Sequence, residues 1–167
     1  AESAAVASAL GGDPTSVLVG EDATEDAVTR RLGGADLLHI SSHGHLDDLS
    51  PFASSLVLAG ADELTVADVT GLSLGTELAV LTGCDTGRGT ATLGGDLVGL
   101  TRALRRSGVR RTVVSMWPVD DAIAPVLMRE FYTRLMGGTS PAMALTAAQV
   151  AMSAMTATEL TSAYINL

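Results

Sequence analysis

Two short stretches hold the side chains best suited to covalent chemistry. Leu81-Thr82-Gly83-Cys84-Asp85-Thr86-Gly87 contains the one cysteine of the chain. Ile40-Ser41-Ser42-His43-Gly44-His45 contains two of its three histidines. A cysteine attacks as its thiolate, so a catalytic one needs a base or a positive field beside it. The pairing points to Cys84 as a nucleophile and a histidine as its base. The plain alternative is a small core hydrophobe, which is what a lone cysteine usually is. Against that, Cys84 follows a glycine, leaves an apolar run and enters a stretch with Gly87 and Gly89. That sets it at an exposed rim.

The histidines separate by position. On a strand, Leu37, His39, Ser41 and His43 share one face, and Leu38, Ile40 and Ser42 the other. His39 lies deep in the run and reads as a core or supporting residue. His43 stands at the exit, directly before Gly44, and is the candidate base. His45 is one step further and less constrained. A glycine lets the backbone approach a ligand closely. The backbone N–H groups of Gly44 and Cys84 could therefore form an oxyanion hole.

These groups need elements to hold them. Residues 1–10 read as a helix closed by Gly11-Gly12. Ser16–Val19 reads as a short strand. Thr24 is a candidate N-cap, with Glu25 and Asp26 in the first turn of a helix that ends at Gly33-Gly34. Asp36–His43 reads as a strand covered on both faces. Residues 46–55 are polar and turn-forming. Ser55–Ala59 and Asp62–Thr65 read as a hairpin around Gly60, followed by a short helix or turn at Val66–Val69. Glu77–Thr82 is the next strand. Leu97, Leu100, Thr101 and Leu104 recur at helical spacing, and Gly108 closes that helix. Arg111–Trp117 is a third core strand, stopped by Pro118. A helix begins at Asp120-Asp121, and another at Ser140-Pro141. Ala163–Leu167 reads as a last strand. Strands alternating with helices give an α/β class with a mostly parallel sheet. Such sheets carry their sites at the carboxyl ends of strands, where His43, Cys84 and Trp117 all fall.

The composition narrows the function. The 167 residues read as a single domain, and the core must be aliphatic, with 47% hydrophobic and only 3% aromatic residues. A net charge of −9 argues against a nucleic-acid-binding surface as the main function. All ten basic residues are arginines. Arg102, Arg105, Arg106, Arg110 and Arg111 cluster, either as a solvated helix end or as a docking patch. One cysteine excludes an internal disulfide and a four-cysteine zinc site, which suits a reducing, cytoplasmic setting. No apolar run approaches the roughly 18–20 residues that span a bilayer, so no membrane partner is expected. The start has neither Met nor a basic region, so it is not read as a signal peptide, and the chain is read as part of a longer one.

His-Gly at one strand end, followed by Cys-x-Thr-Gly at the next, resembles the caspase-like cysteine peptidases of clan CD. The closer resemblance is to the CHAT-domain family, bacterial caspase-like domains often fused to TPR repeats. It is carried by Ala35–His45 and Leu81–Gly87, then by Gly94-Gly95-Asp96-Leu97-Val98-Gly99-Leu100-Thr101-Arg102-Ala103. Val114–Asp121, Phe131-Tyr132 and Ala147-Ala148-Gln149 continue it over nearly the whole chain.

The resemblance implies a caspase-like three-layer sandwich with a mostly parallel central sheet flanked by helices. It implies an endopeptidase with a Cys84–His43 dyad, Gly44 and Cys84 N–H groups on the oxyanion, and no metal or organic cofactor. The implied partners are a protein or peptide substrate and a TPR or other sensor domain. Bacterial defence or regulated cell death is the implied setting. Trp117-Pro118-Val119-Asp120-Asp121 also resembles the substrate-pocket segment of separases. That makes Trp117 a pocket wall and Asp121, or Asp120, an acidic group for an Arg side chain. Arg88 would then be a self-cleavage point. For the two aspartates the plain alternative is a cap on the helix that follows. A CHAT fold that binds a partner without turnover is the alternative function.

Overall fold

Strand β5 (Leu78–Leu81) is the centre of the parallel sheet, and its sequence says why. Leu78, Ala79, Val80 and Leu81 are all buried, as befits a strand covered on both faces. In this computed structural model the described residues are 2–12, 16–45, 47, 49–82, 95–115 and 119–167. They form two compact units, one of residues 18–118 and one of residues 1–17 with 119–167.

In the first unit, β1 (Leu37–Ile40), β5 and β6 (Arg111–Val114) pair in parallel in the order β1-β5-β6. The register sets Leu38 beside Ala79 and Ile40 beside Leu81. By the two-residue period these four share a face. That face packs with helices α3 (Val66–Gly71) and α4 (Gly95–Arg106) through Val66, Val69, Leu100 and Leu104. Full burial of one such aliphatic side chain is worth about 1.5–3 kcal/mol. His39, beside Val80, is on the opposite face. A second sheet, β2 (Gly44–His45), β3 (Ser55–Val57) and β4 (Glu63–Thr65), is antiparallel in that order. Gly60 turns the β3–β4 hairpin at a φ of 62°. Helix α2 (Glu25–Leu32) is capped by the Thr24 hydroxyl, which accepts from the Ala27 N–H at 3.3 Å.

The end of α4 is tightly locked. The buried Ser107 hydroxyl donates to the carbonyls of Ala103 and Val69. Gly108 has a φ of 105°, and a Cβ there would collide with the Leu74 carbonyl oxygen.

In the second unit, α5 (Ile123–Met136) is the central helix, and α1 (Glu2–Leu10), α6 (Pro141–Ser153) and α7 (Ala157–Ile165) pack on it. Small residues, Ala5 on α1 and Ala144 and Ala148 on α6, are fully buried in this unit. Phe131 and Tyr132 meet edge to face at 4.9 Å. Burial, and then the charge of Glu2, pushes the Tyr132 phenol above its ordinary range. Helix α7 opens with a capping box: the Glu159 N–H donates to the Thr156 hydroxyl, and the Thr156 N–H to the Glu159 carboxylate at 2.7 Å. The Thr156 hydroxyl also donates to that carboxylate, at 2.8 Å, and the Glu159 carboxyl pKa is lowered by the Thr156 N–H first and by this hydroxyl second.

Three sequence expectations are corrected. Residues 163–165 end α7 and Asn166 is its C-cap; residues 163–167 form no strand. Residues 16–19 form no strand; Val19 is exposed and has no sheet to pleat onto. The strand expected through His43 ends at Ile40, because the chain turns at Ser41–His43 to enter the second sheet.

Candidate functional site

The carboxyl ends of the parallel strands lie side by side. The Thr82 N–H donates to the Ile40 carbonyl at 3.0 Å, and the Ser115 N–H to the Leu81 carbonyl at 3.1 Å. Pairing thus continues one residue past β5 and β6. The chain leaves β1 three residues before His43, and leaves Thr82 two residues before Cys84. The two candidate segments depart from hydrogen-bonded neighbours at one end of one sheet. Cys84, Arg88 and Trp117 themselves lie outside the described residues.

His43 is held by the second sheet. The Val57 N–H donates to its carbonyl at 2.8 Å. The Ser42 hydroxyl donates to the carbonyls of Val57 and His43 and so pins the turn that carries the imidazole. The His43 residue is exposed, as is His45, whereas His39 is half-buried within β1.

The ribbon also aims the Gly44 N–H. The Val57-to-His43 bond makes residues 43 and 57 a hydrogen-bonded pair, so Gly44, opposite Leu56, occupies the non-hydrogen-bonded position. Its N–H is therefore directed away from β3. Among the described residues β2 is the outermost strand of its sheet. Among the described residues the N–H thus lies on the unpaired edge of β2.

The two aspartates belong to the other unit and differ in their engagement. The Asp120 carboxylate accepts the Ala122 N–H at 2.8 Å, and its carbonyl accepts from Ile123 and Ala124. It serves the start of α5. The Asp121 side chain is exposed and makes no hydrogen bond among the described residues.

One feature beside His45 escaped the sequence reading, which took residues 46–55 as a polar turn. The Asp47 carboxylate accepts the N–H groups of Leu49 and Ser50 at 3.0 and 2.8 Å, and the Asp47 N–H donates to the buried Ser54 hydroxyl. This tied loop displays Leu49 (98% exposed) and Phe52 (64% exposed). The signal is three large apolar residues, Leu46, Leu49 and Phe52, in a polar stretch.

A family model described as CHAT domain matches residues 1–164. Tetratricopeptide repeat protein 28 of Mus musculus is 37% identical over 75 residues, which is 45% of this chain and 3% of that protein. Tetratricopeptide repeat protein 28 of Homo sapiens is 35% identical over 82 residues, 49% of this chain and 3% of that protein. The match thus spans only a small part of the length of these curated relatives.

Proposed function

The chain belongs to the CHAT domain family, which is related to the caspase-like cysteine peptidases, and on that premise we propose that it is a cysteine endopeptidase working through Cys84 and His43. One observation supports this above the others: the segments bearing the two residues leave adjacent, hydrogen-bonded ends of β1 and β5.

The Cys84 thiolate attacks the scissile carbonyl carbon, and the carbonyl electron pair moves onto oxygen. The N–H groups of Gly44 and Cys84 receive that oxyanion. The direction of the Gly44 N–H, out from the β2 edge, supports its part. His43 as imidazolium gives its proton to the leaving amine, the C–N bond breaks, and a thioester remains. His43 then takes a proton from water, which attacks the thioester and releases the thiolate. The substrate is a protein or peptide lying extended along the strand ends. The likeness of residues 117–121 to the separase segment supports Trp117 and Asp121 as substrate-binding residues, Asp121 for a basic side chain; Asp120 serves mainly the start of α5. The chemistry calls for no metal or cofactor.

The full fold on this reading is the caspase-like three-layer sandwich. The family match over residues 1–164 supports reading the chain as a single domain. The names of the relatives support a TPR domain beside this one in a longer protein, and on our reading that domain is its regulator. Among the described residues no helix is long and apolar enough to cross a membrane. We place the domain in the cytoplasm, in a bacterial or a eukaryotic cell.

A second reading is a CHAT fold that binds partners without turnover. It is favoured by the relatives, neither of which is named as a protease. A fluorogenic peptide panel separates the two. Turnover lost in Cys84→Ala, and reduced about 10²–10⁴-fold in His43→Ala, supports the peptidase. Cleavage that survives Cys84→Ala removes the dyad. No cleavage together with no labelling of Cys84 by a thiol-reactive peptide favours the binding domain.

A further inference from the structure

The arginine cluster takes no part in the proposed chemistry, and its placement points elsewhere. Arg102, Arg105 and Arg106 stand at i, i+3 and i+4 on α4, so their side chains are neighbours. Arg110 and Arg111 follow directly, at the start of β6. All five are exposed. Glu77 pairs with Arg110 at 3.0 Å and with Arg111 at 3.3 Å. Arg102, Arg105 and Arg106 make no ion pair among the described residues. Among the described residues one carboxylate, that of Glu77, thus pairs with two of the five guanidinium groups.

The turn joining them is rigid. Ser107 is bonded to α3 and Gly108 is pressed against Leu74, while the Arg110 N–H donates to the Thr76 carbonyl at 2.9 Å. The patch lies at the amino end of the parallel sheet, where Arg111 opens β6 beside Leu78 of β5. His43 follows the carboxyl end of β1. A four-residue strand at ~3.3 Å per residue puts about 13 Å between the two ends.

We propose that this patch docks a short acidic segment of a partner protein, away from the candidate active site. Charge decides between anions. The chain carries −9 overall, although five positive charges sit here, so the rest of its surface repels anions. A nucleic-acid duplex bears a charge every ~1.7 Å along its axis and would run on over that repelling surface. A few Asp or Glu residues keep their charge inside the patch, and screening over about 8 Å at physiological salt hides the remainder. Guanidinium forks match carboxylates two bonds at a time. Same-face side chains of an extended peptide recur every ~6.6 Å, close to the ~5–6 Å between neighbours on a helix face.

The test is fluorescence anisotropy with the whole chain and a labelled peptide of alternating Glu and Ser, with the Lys-for-Glu peptide as control. Binding is expected at about 50 mM salt, weakening steeply by about 300 mM as screening grows. The triple variant Arg102→Gln, Arg105→Gln, Arg106→Gln should bind at least about tenfold more weakly. The matching Arg→Lys triple should retain part of the affinity. Circular dichroism melting identifies any variant that has not folded, and the single Arg102→Gln then carries the comparison. Equal binding by a folded Gln variant overturns the proposal. So does no binding at low salt, or tighter binding of duplex DNA than of the acidic peptide.

Discussion

Gly44 is valuable to the proposed site for its N–H rather than for its missing side chain. A Cβ built there would come no nearer than 3.7 Å to the Ser55 carbonyl oxygen, an ordinary contact. Gly44→Ala should therefore fold and keep turnover within a few-fold. Gly44→Pro removes the donor, and on an edge strand whose N–H faces outward proline is tolerated. It should fold and lose about 10²–10³ in kcat. Full turnover in a folded Gly44→Pro variant would remove Gly44 from the oxyanion hole. Gly108 is the opposite case. Its left-handed backbone and its closeness to Leu74 both exclude a side chain. Gly108→Ala should cost at least about 2 kcal/mol in urea unfolding. At this scale the sequence separated the histidines correctly by position: His39 is inside β1, and His43 and His45 are exposed beyond it. It could not foresee the direction of the Gly44 N–H, because that follows from a pairing register with a strand eleven residues away.

Elements were legible where local signals agreed with tertiary packing. Thr24, the helical spacing of Leu97–Leu104 and the apolar run of β5 all led to the observed elements. The misreadings share a cause: β-rich residues were weighed without asking what they would pack against. Ala163–Leu167 holds Tyr and Ile, but Thr156 and Glu159 had already started a helix upstream. That Thr-x-x-Glu pattern was visible in the sequence. Because the box supplies the partners for the first N–H groups of α7, Thr156→Ala should cost about 1 kcal/mol. Carboxylate NMR of the same variant should show the Glu159 titration moving part of the way up toward its ordinary value, since the variant loses the Thr156 hydroxyl and keeps the backbone N–H, the larger of the two influences. An unmoved midpoint would mean that the box does not persist in solution.

The assignment to α/β followed from alternation of strands and helices, and the three-strand parallel sheet agrees with it. The division into two units did not: Gly11-Gly12-Asp13-Pro14-Thr15-Ser16 and Pro118 stand at its boundaries, but each also reads as an ordinary turn between elements. Tyr132 gives a measure of how firmly the unit built on α5 is closed. Its folded-state pKa is raised, by burial first and by Glu2 second. An unfolded tyrosine ionises near pH ~10. Below that value the contribution to stability is complete. As pH rises above it the unfolded state loses a proton that the folded state keeps, and stability falls. The tyrosinate absorbance of Tyr132 should therefore develop only together with the loss of near-ultraviolet circular dichroism. Tyr132→Phe should flatten the alkaline decline. Ionisation of Tyr132 in the intact protein would show that the unit breathes.

Helices α1 and α5 come from opposite parts of the chain, yet they pack on one another. On the ribosome, α1 emerges more than a hundred residues before the helix that receives it. A nine-residue helix is too short to persist alone in water. Its apolar side must wait while the parallel sheet is synthesised and can already form. The growing chain thus has a built-in order of assembly: the parallel sheet can close first, and the helical unit last. During that interval Ala5 and Val6, buried in the finished unit, lack the helix that covers them.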